Sequence, residues 1–148
     1  MPRAKLVGLL VGGLLLASCQ RSSGNPSPPG GGGTVDPPPT ATLSVVDSAG
    51  AQGPFALDGL DQLVIDVECA HLKPGAHAVR VAVTSPSGSL YAQLPATLQV
   101  GESRRGRVSS TLQVRGSTIE SYRQLGTWQL VASVDGAQLA AASVDLAP

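Results

Sequence analysis

Cysteine, aromatic residues and charge are all scarce in this chain of 148 residues. It has two cysteines, 3% aromatic and 14% charged residues, and its ten acidic and ten basic side chains give a formal net charge of zero. Proteins that bind nucleic acid usually carry a basic patch, often interleaved with aromatic residues. We therefore expect no nucleic-acid partner.

The motifs of common catalytic and cofactor sites are also missing. No serine stands in a Gly-x-Ser-x-Gly elbow, and no pair of carboxylates stands out from ordinary strand and turn positions. The glycine run at 30–33 has neither a strand before it nor a helix after it, as a phosphate loop requires. We expect no enzyme activity, no catalytic residues and no cofactor.

The N terminus has an apolar run, but it is too short to span a membrane. Residues 6–16 are 11 apolar or small residues, whereas a transmembrane helix needs about 20. Arg3 and Lys5 precede the run, and the small residues Ala17 and Ser18 follow it. This order of basic start, apolar run and small-residue exit predicts an export signal.

The tetrapeptide LASC at 16–19 resembles the lipobox of bacterial lipoproteins. The resemblance implies that residues 1–18 are a signal peptide and that Cys19 is diacylated after cleavage. Since two or more acyl chains anchor a protein stably, the membrane is expected to be a partner through lipidated Cys19. In that family an aspartate after the cysteine favours retention in the inner membrane. Gln20 stands there, which favours the outer membrane and a periplasmic or surface location in the cell envelope.

Residues 19–39 are predicted to be a linker behind the lipidated cysteine. Glycine, proline and serine dominate this segment, and almost none of its side chains is suited to burial. Such a composition does not offset the entropy lost on ordering. We expect it to hold the following domain away from the membrane surface.

Residues 40–148 are predicted to be one all-β domain. Apolar residues alternate with polar ones in short runs, and turn signals separate the runs about every ten residues. The alternation predicts about seven or eight strands in an antiparallel β-sandwich. The runs lie at 40–46, 61–69, 77–84, 89–94, 96–100, 107–114, 127–134 and 137–146, and the segment 116–125 is left as a loop, one helical turn or a strand.

The last hairpin, GTWQLVASVDGAQLAAASVDL, resembles those of immunoglobulin-like and fibronectin-type sandwiches. The resemblance implies that fold and no particular function. One departure is the disulfide that joins the two sheets of antibody domains, because this domain has only Cys69. Cys69 shares a strand face with Ile65 and Val67, so we expect a buried core thiol. Trp128 is expected to be a second core residue.

Charged residues give two further predictions. Acidic residues cluster early in the domain and arginines late, which predicts an electrically lopsided domain. Arg104, Arg105 and Arg107, in and beside one turn, are candidate contacts for an acidic partner or another anion. His71 and His77 flank the turn at 73–75, but a metal would need a third ligand nearby, for which Glu68 is the obvious candidate.

The predicted function is a lipid-anchored, non-catalytic binding or assembly module that contacts an envelope protein through its loops or an open sheet edge. The alternative is a periplasmic lipoprotein that binds a small ligand, a metal or an envelope polysaccharide. It would use the region from His71 to His77 or the arginine-rich turn.

Overall fold

The computed structural model describes residues 33–148. The predicted signal peptide, Cys19 and most of the predicted linker lie outside these residues. Residues Val35–Pro148 form one compact unit. Between Gly33 and Pro148, no helix has the length and apolar character needed to cross a membrane.

The domain consists of eight strands and one short helix. In chain order they are β1 Thr40–Asp47, β2 Phe55–Ala56, β3 Gln62–Ala70, β4 Gly75–Thr84, β5 Leu90–Val100, β6 Arg105–Gln113, α1 Thr118–Ser121, β7 Gly126–Val134 and β8 Ala137–Ala147.

These strands form two sheets with the orders β1-β3-β6 and β2-β8-β7-β4-β5. All pairs are antiparallel except β2 and β8, which are parallel. The chain crosses between the sheets after β1, β2, β3, β5 and β6, and two packed sheets linked by such crossings are typical of an immunoglobulin-like sandwich. The predicted fold class is therefore confirmed.

The core lies between the two sheets and follows the predicted alternation. Ile65, Val81 and Ala132, at the centres of β3, β4 and β7, have no exposed surface. The other residues on the same faces of these three strands are also buried: Leu63, Val67, Cys69, Val79, Val83, Trp128, Leu130 and Val134. The expected burial of Cys69 and Trp128 is confirmed. On β6, Leu112 is buried, while Val108 and Ser110 are only half-buried.

The structure differs from the prediction in two strands, β5 and β2. The runs at 89–94 and 96–100 are one strand, β5, which continues through Pro95. Because β5 is an edge strand, it tolerates a residue without a backbone N–H. The two-residue strand β2 was not predicted, since a segment that short carries no alternation.

The predicted turns position the strands correctly. Asp135 and Gly136 both have positive φ, at 50° and 85°, and they connect β7 to β8 as a tight hairpin of the type that Asp-Gly favours. Within the segment 116–125, the single helical turn α1 confirms one of the three predicted alternatives.

Candidate functional sites at the two ends of the sandwich

The connections between strands divide into two groups. The N-terminal end of the sandwich, where β1 begins, has only short connections, at 71–74, 101–104 and 135–136. The distal end has longer ones, at 48–61, 85–89 and 114–125. Binding residues concentrate on loops that a rigid scaffold positions, so each end is a candidate site.

Arg104 connects separate segments of the chain at the N-terminal end. Its Nε donates to the carbonyl oxygen of Leu72 at 3.1 Å, and its Nη2 donates to that of His71 at 3.3 Å. Its Nη1 donates to Oδ1 of Asp36 at 2.9 Å. The guanidinium thus joins the 71–74 loop to the segment that precedes β1, and this candidate anion contact is occupied by groups of the same chain.

Arg105 and Arg107 lie on β6 in different surroundings. Arg107 Nη2 donates to Oδ2 of Asp66 at 2.6 Å, and its Nη1 lies 3.6 Å from Oε1 of Glu68. Arg105 is exposed and has no ion-pair partner within 4.0 Å among residues 33–148. Of the three predicted arginines, Arg105 is therefore the one available to an external anion.

The expectation of an electrically lopsided domain is wrong. The early acidic residues pair across the fold with the late arginines, as in Asp66–Arg107 and Asp58–Arg123, the latter at 3.2 Å. Arg115 Nη1 likewise lies 2.7 Å from Oδ1 of Asp61. The antiparallel pairing of β3 with β6 brings together the residues of the Asp66–Arg107 and Asp61–Arg115 pairs, which are far apart along the chain.

His77 lies at the start of β4 with both ring nitrogens beside an acceptor. Nδ1 is 2.6 Å from Oδ2 of Asp135, and Nε2 is 2.7 Å from the carbonyl oxygen of Lys73. The hydrogen bond to Asp135 and then that to Lys73 raise the pKa of His77 above 6.5. The same bond to His77 lowers the pKa of Asp135 below its ordinary value of 3.8. The arrangement favours an ion pair.

This geometry does not support the alternative of a metal site at His71, His77 and Glu68. Both nitrogens of His77 face protein acceptors, and Glu68 lies beside Arg107. No group of three or more His, Cys, Asp or Glu side chains suited to a metal ion occurs in the part of the chain that the structure describes. Sequence reasoning missed Asp135 as the partner of His77, because 58 positions separate them and only the pairing of β4 with β7 brings them together.

At the distal end, a network of hydrogen bonds and a buried side chain hold α1. The Ser117 hydroxyl accepts from Ile119 N at 3.1 Å, and Oε2 of Glu120 accepts from Gly116 N at 2.7 Å. Ile119 itself has no exposed surface. The Thr118 hydroxyl donates to that of Tyr91 at 3.1 Å. The 114–125 loop is therefore an ordered platform.

Tyr122, directly after α1, is presented to solvent by this platform. Its exposed fraction is 76%, and that of Leu90, at the start of β5, is 57%. The third large apolar residue with high exposure between Gly33 and Pro148 is Val35, at the other end of the domain. Sequence reasoning did not identify Tyr122, because the segment 116–125 fits neither strand nor helix periodicity.

The comparisons with known proteins give structural likenesses only. No family model matches the chain, and no curated protein matches it. Among solved structures, it is similar to the CARDB domain of a Pyrococcus furiosus protein, solved in complex with di-metal ions, with 17% identity over 76% of this chain and 96% of that one and a TM-score of 0.48. It is also similar to an immunoglobulin-like protein from Pseudomonas aeruginosa, with 12% identity over 76% of this chain and 98% of that one and a TM-score of 0.43. At these identities and TM-scores, neither likeness bears on function.

Proposed function

We propose that the chain is a lipid-anchored, non-catalytic binding module of a bacterial cell envelope that recognises a protein partner through its distal end. The lipobox-like LASC supports the anchor, with lipid on Cys19. Gln20, in place of aspartate, favours the outer membrane, with the domain on its periplasmic or surface face.

The observation that carries the binding role is the position of Tyr122. An aromatic side chain exposed at 76% gains no stability for the domain where it stands. Tyrosine is among the residues that contribute most to protein interfaces, and this one is fixed by the buried Ile119 one turn earlier. Its backbone N also donates to Thr118 O at 3.1 Å, so binding would require little further ordering of the backbone that carries the ring.

The end at which the chain enters the domain agrees with this role. The segment before β1 leaves the sandwich at the N-terminal end, where Asp36 contacts Arg104. The longer distal loops therefore lie at the end of the domain opposite to the one at which the chain enters it. A partner could then approach Tyr122 without displacing the anchor.

The binding role is tested by crosslinking in cells, followed by affinity purification from washed membranes. Tyr122→Ala should reduce recovery of the native partner by about tenfold or more, as for an interface hot spot. Val35→Ser is the matched control, because it removes an exposed apolar side chain from the other end of the domain. If both variants recover the partner as well as the native chain does, the distal end is not the binding surface.

The anchor is tested separately by counting thiols. The chain has two cysteines, and a Cys19 thioether does not react with a thiol reagent. In urea, the membrane-extracted protein should give one reactive thiol, from Cys69, and none after Cys69→Ala. Two reactive thiols in the native protein, or a Cys19→Ala variant that stays equally in washed membranes, would contradict lipidation.

A further inference from the structure

His77 needs a hydrogen on both ring nitrogens to bond to both of its neighbours. A neutral imidazole has one N–H and one lone pair, whereas an imidazolium has two N–H groups. Here both nitrogens lie within 2.7 Å of an oxygen that only accepts hydrogen bonds, provided that the Asp135 carboxylate is ionised. Only the protonated ring donates to Asp135 and to the carbonyl of Lys73 at once.

The first of these bonds fixes the ring to the sheet. Asp135 is held on β4 by two further bonds. Its Oδ1 accepts from Ala78 N at 2.9 Å, and its backbone N donates to Ala78 O at 2.8 Å. The carboxylate is therefore a rigid reference for Nδ1. The second bond, from Nε2, connects the ring to the 71–74 loop.

Arg104 holds the same loop from its other side. It donates to the carbonyls of His71 and Leu72, and its own carbonyl accepts from Leu72 N at 3.2 Å. Through Nη1 it also holds Asp36. Pro37, Pro38 and Pro39 line one surface depression together with this loop and His77. The 71–74 loop thus joins His77 to the segment that enters the domain.

The charged groups around His77 come from every element that packs there. Asp135 stands in the β7–β8 turn, Lys73 and His71 in the 71–74 loop, Arg104 in the 101–104 loop and Asp36 before β1. Asp135 is the group in direct contact with the ring, and Arg104 is engaged with Asp36. The balance favours the charged ring, and the raised pKa of His77 agrees with this.

We propose that His77 is a pH-operated latch that fixes the 36–39 segment on the N-terminal end when its ring is protonated and releases it when the ring is neutral. The latch does not depend on lipidation or on a partner at the distal end. It would set how firmly residues 36–39 are held against the domain.

The direction follows from the geometry. When the ring loses a proton, Nδ1 keeps its hydrogen because it faces a carboxylate, and Nε2 exposes a lone pair to the Lys73 oxygen. Two acceptors 2.7 Å apart repel each other, so the 71–74 loop moves away from the ring. The bonds from Arg104 to the carbonyl oxygens of His71 and Leu72 then weaken. The guanidinium that they position is the group that holds Asp36. The latch is closed at low pH and opens as pH rises through the raised pKa of His77.

The test is an NMR pH titration of the full chain in detergent micelles. The Cε1 shift of His77 reports ring protonation, and the amide shifts of Asp36, Lys73 and Thr40 report the latch. We expect all four to titrate with one midpoint, above 6.5. Asp135→Asn removes the carboxylate charge but keeps a residue suited to positive φ, and it should shift that common midpoint to lower pH.

Two further variants separate the latch from simple loop motion. His77→Gln should leave the amides of Asp36 and Thr40 at their high-pH positions throughout. His71→Asn is the matched control in the same loop and should leave the midpoint unchanged. The proposal is overturned if the Asp36 and Thr40 amides do not follow His77 in the native chain. It is also overturned if His71→Asn moves the common midpoint as far as Asp135→Asn does.

Discussion

Leu98 on β5 packs directly over Gly106 on β6, and this contact joins the open sides of the two sheets. A Cβ at position 106 would lie 2.7 Å from Cδ1 of Leu98 and 3.1 Å from its Cγ. Leu98 is buried, with an exposed fraction of 3%, so its side chain has little room to move. Gly106 is required here for close approach between the sheets.

Gly106→Ala should therefore destabilise the domain, although alanine normally favours an ordered chain over glycine. Overpacking of this kind costs about 1–3 kcal/mol, and we expect the free energy of unfolding, measured by urea denaturation, to fall by that amount. Gly101→Ala is the matched control, because position 101 has open space around a Cβ and no positive φ. It should be neutral or slightly stabilising. Equal losses in the two variants would show that Leu98 is not the cause.

Asp66 predicts a pH-dependent contribution to stability. Its Oδ2 accepts from Arg107 and its Oδ1 from the Ser109 hydroxyl, and these bonds lower its pKa below 3.8, in that order of importance. A lowered folded pKa means that the ionised carboxylate stabilises the fold above pH 3.8 and that this stability is lost as pH falls through the folded value.

Asp66→Asn should accordingly lower the urea midpoint at pH 7, and its difference from the native chain should shrink as pH falls below 3.8. Glu68→Gln serves as the control, since Glu68 is 60% exposed and its contact with Arg107 is 3.6 Å long. A difference for Asp66→Asn that stays constant with pH would mean that shape, and not charge, accounts for its effect.

Trp128 predicts a large loss of stability on truncation. Its ring meets that of Tyr91 edge to face, with centroids 5.2 Å apart, and its Nε1 donates to Gln124 O at 3.2 Å. Trp128→Ala should cost about 3–5 kcal/mol, a large part of the ~5–15 kcal/mol typical of a domain. Circular dichroism in urea measures it. Tyr122→Ala, at an exposed aromatic, should change stability by no more than about 0.5 kcal/mol.

The Cys69 thiol should react with a labelling reagent only when the domain unfolds. It is 3% exposed, and burial raises the pKa of its thiol above 9.0. In the folded domain a reagent therefore reaches the sulfur rarely, and little of the thiol is ionised. Labelling in buffer should be slow and should accelerate through the urea transition. Trp128→Ala should speed labelling in buffer, whereas Gly101→Ala should not. Fast labelling of the native chain without urea would contradict the buried position.

The sequence predicted those features of the fold that depend on neighbours along the chain. Ile65 and Val67 fell on one face because side chains alternate in a strand. Asp135 and Gly136 fall between the last two predicted runs, and this pair favours a tight turn because both residues adopt positive φ at low cost. The sequence could not place β2, whose two residues show no period, or join the two runs across Pro95, because the tolerance of a proline depends on whether the strand lies at an edge.

The candidate sites were less predictable than the fold. Arg104 was noted as an available cation, yet in the structure it binds two carbonyls and Asp36. Asp66 alternates with Ile65 and Val67 and so lies on the outward face of β3, but its burial under Arg107 depends on the β3–β6 register. Tyr122 carried no pattern at all, and its exposure follows from how the 114–125 loop packs.

By itself, then, the sequence determined the β-sandwich, its inward residues and the tight turns, because local backbone preferences and the period of two are written in consecutive residues. Only the tertiary structure decided which charges meet, that His77 stands between Asp135 and Lys73, and that Tyr122 faces solvent. Those relationships join residues up to 68 positions apart, and they depend on strand order and register. Short-range patterning constrains neither, because hydrogen bonds between strands form between backbone groups that are the same in nearly every residue.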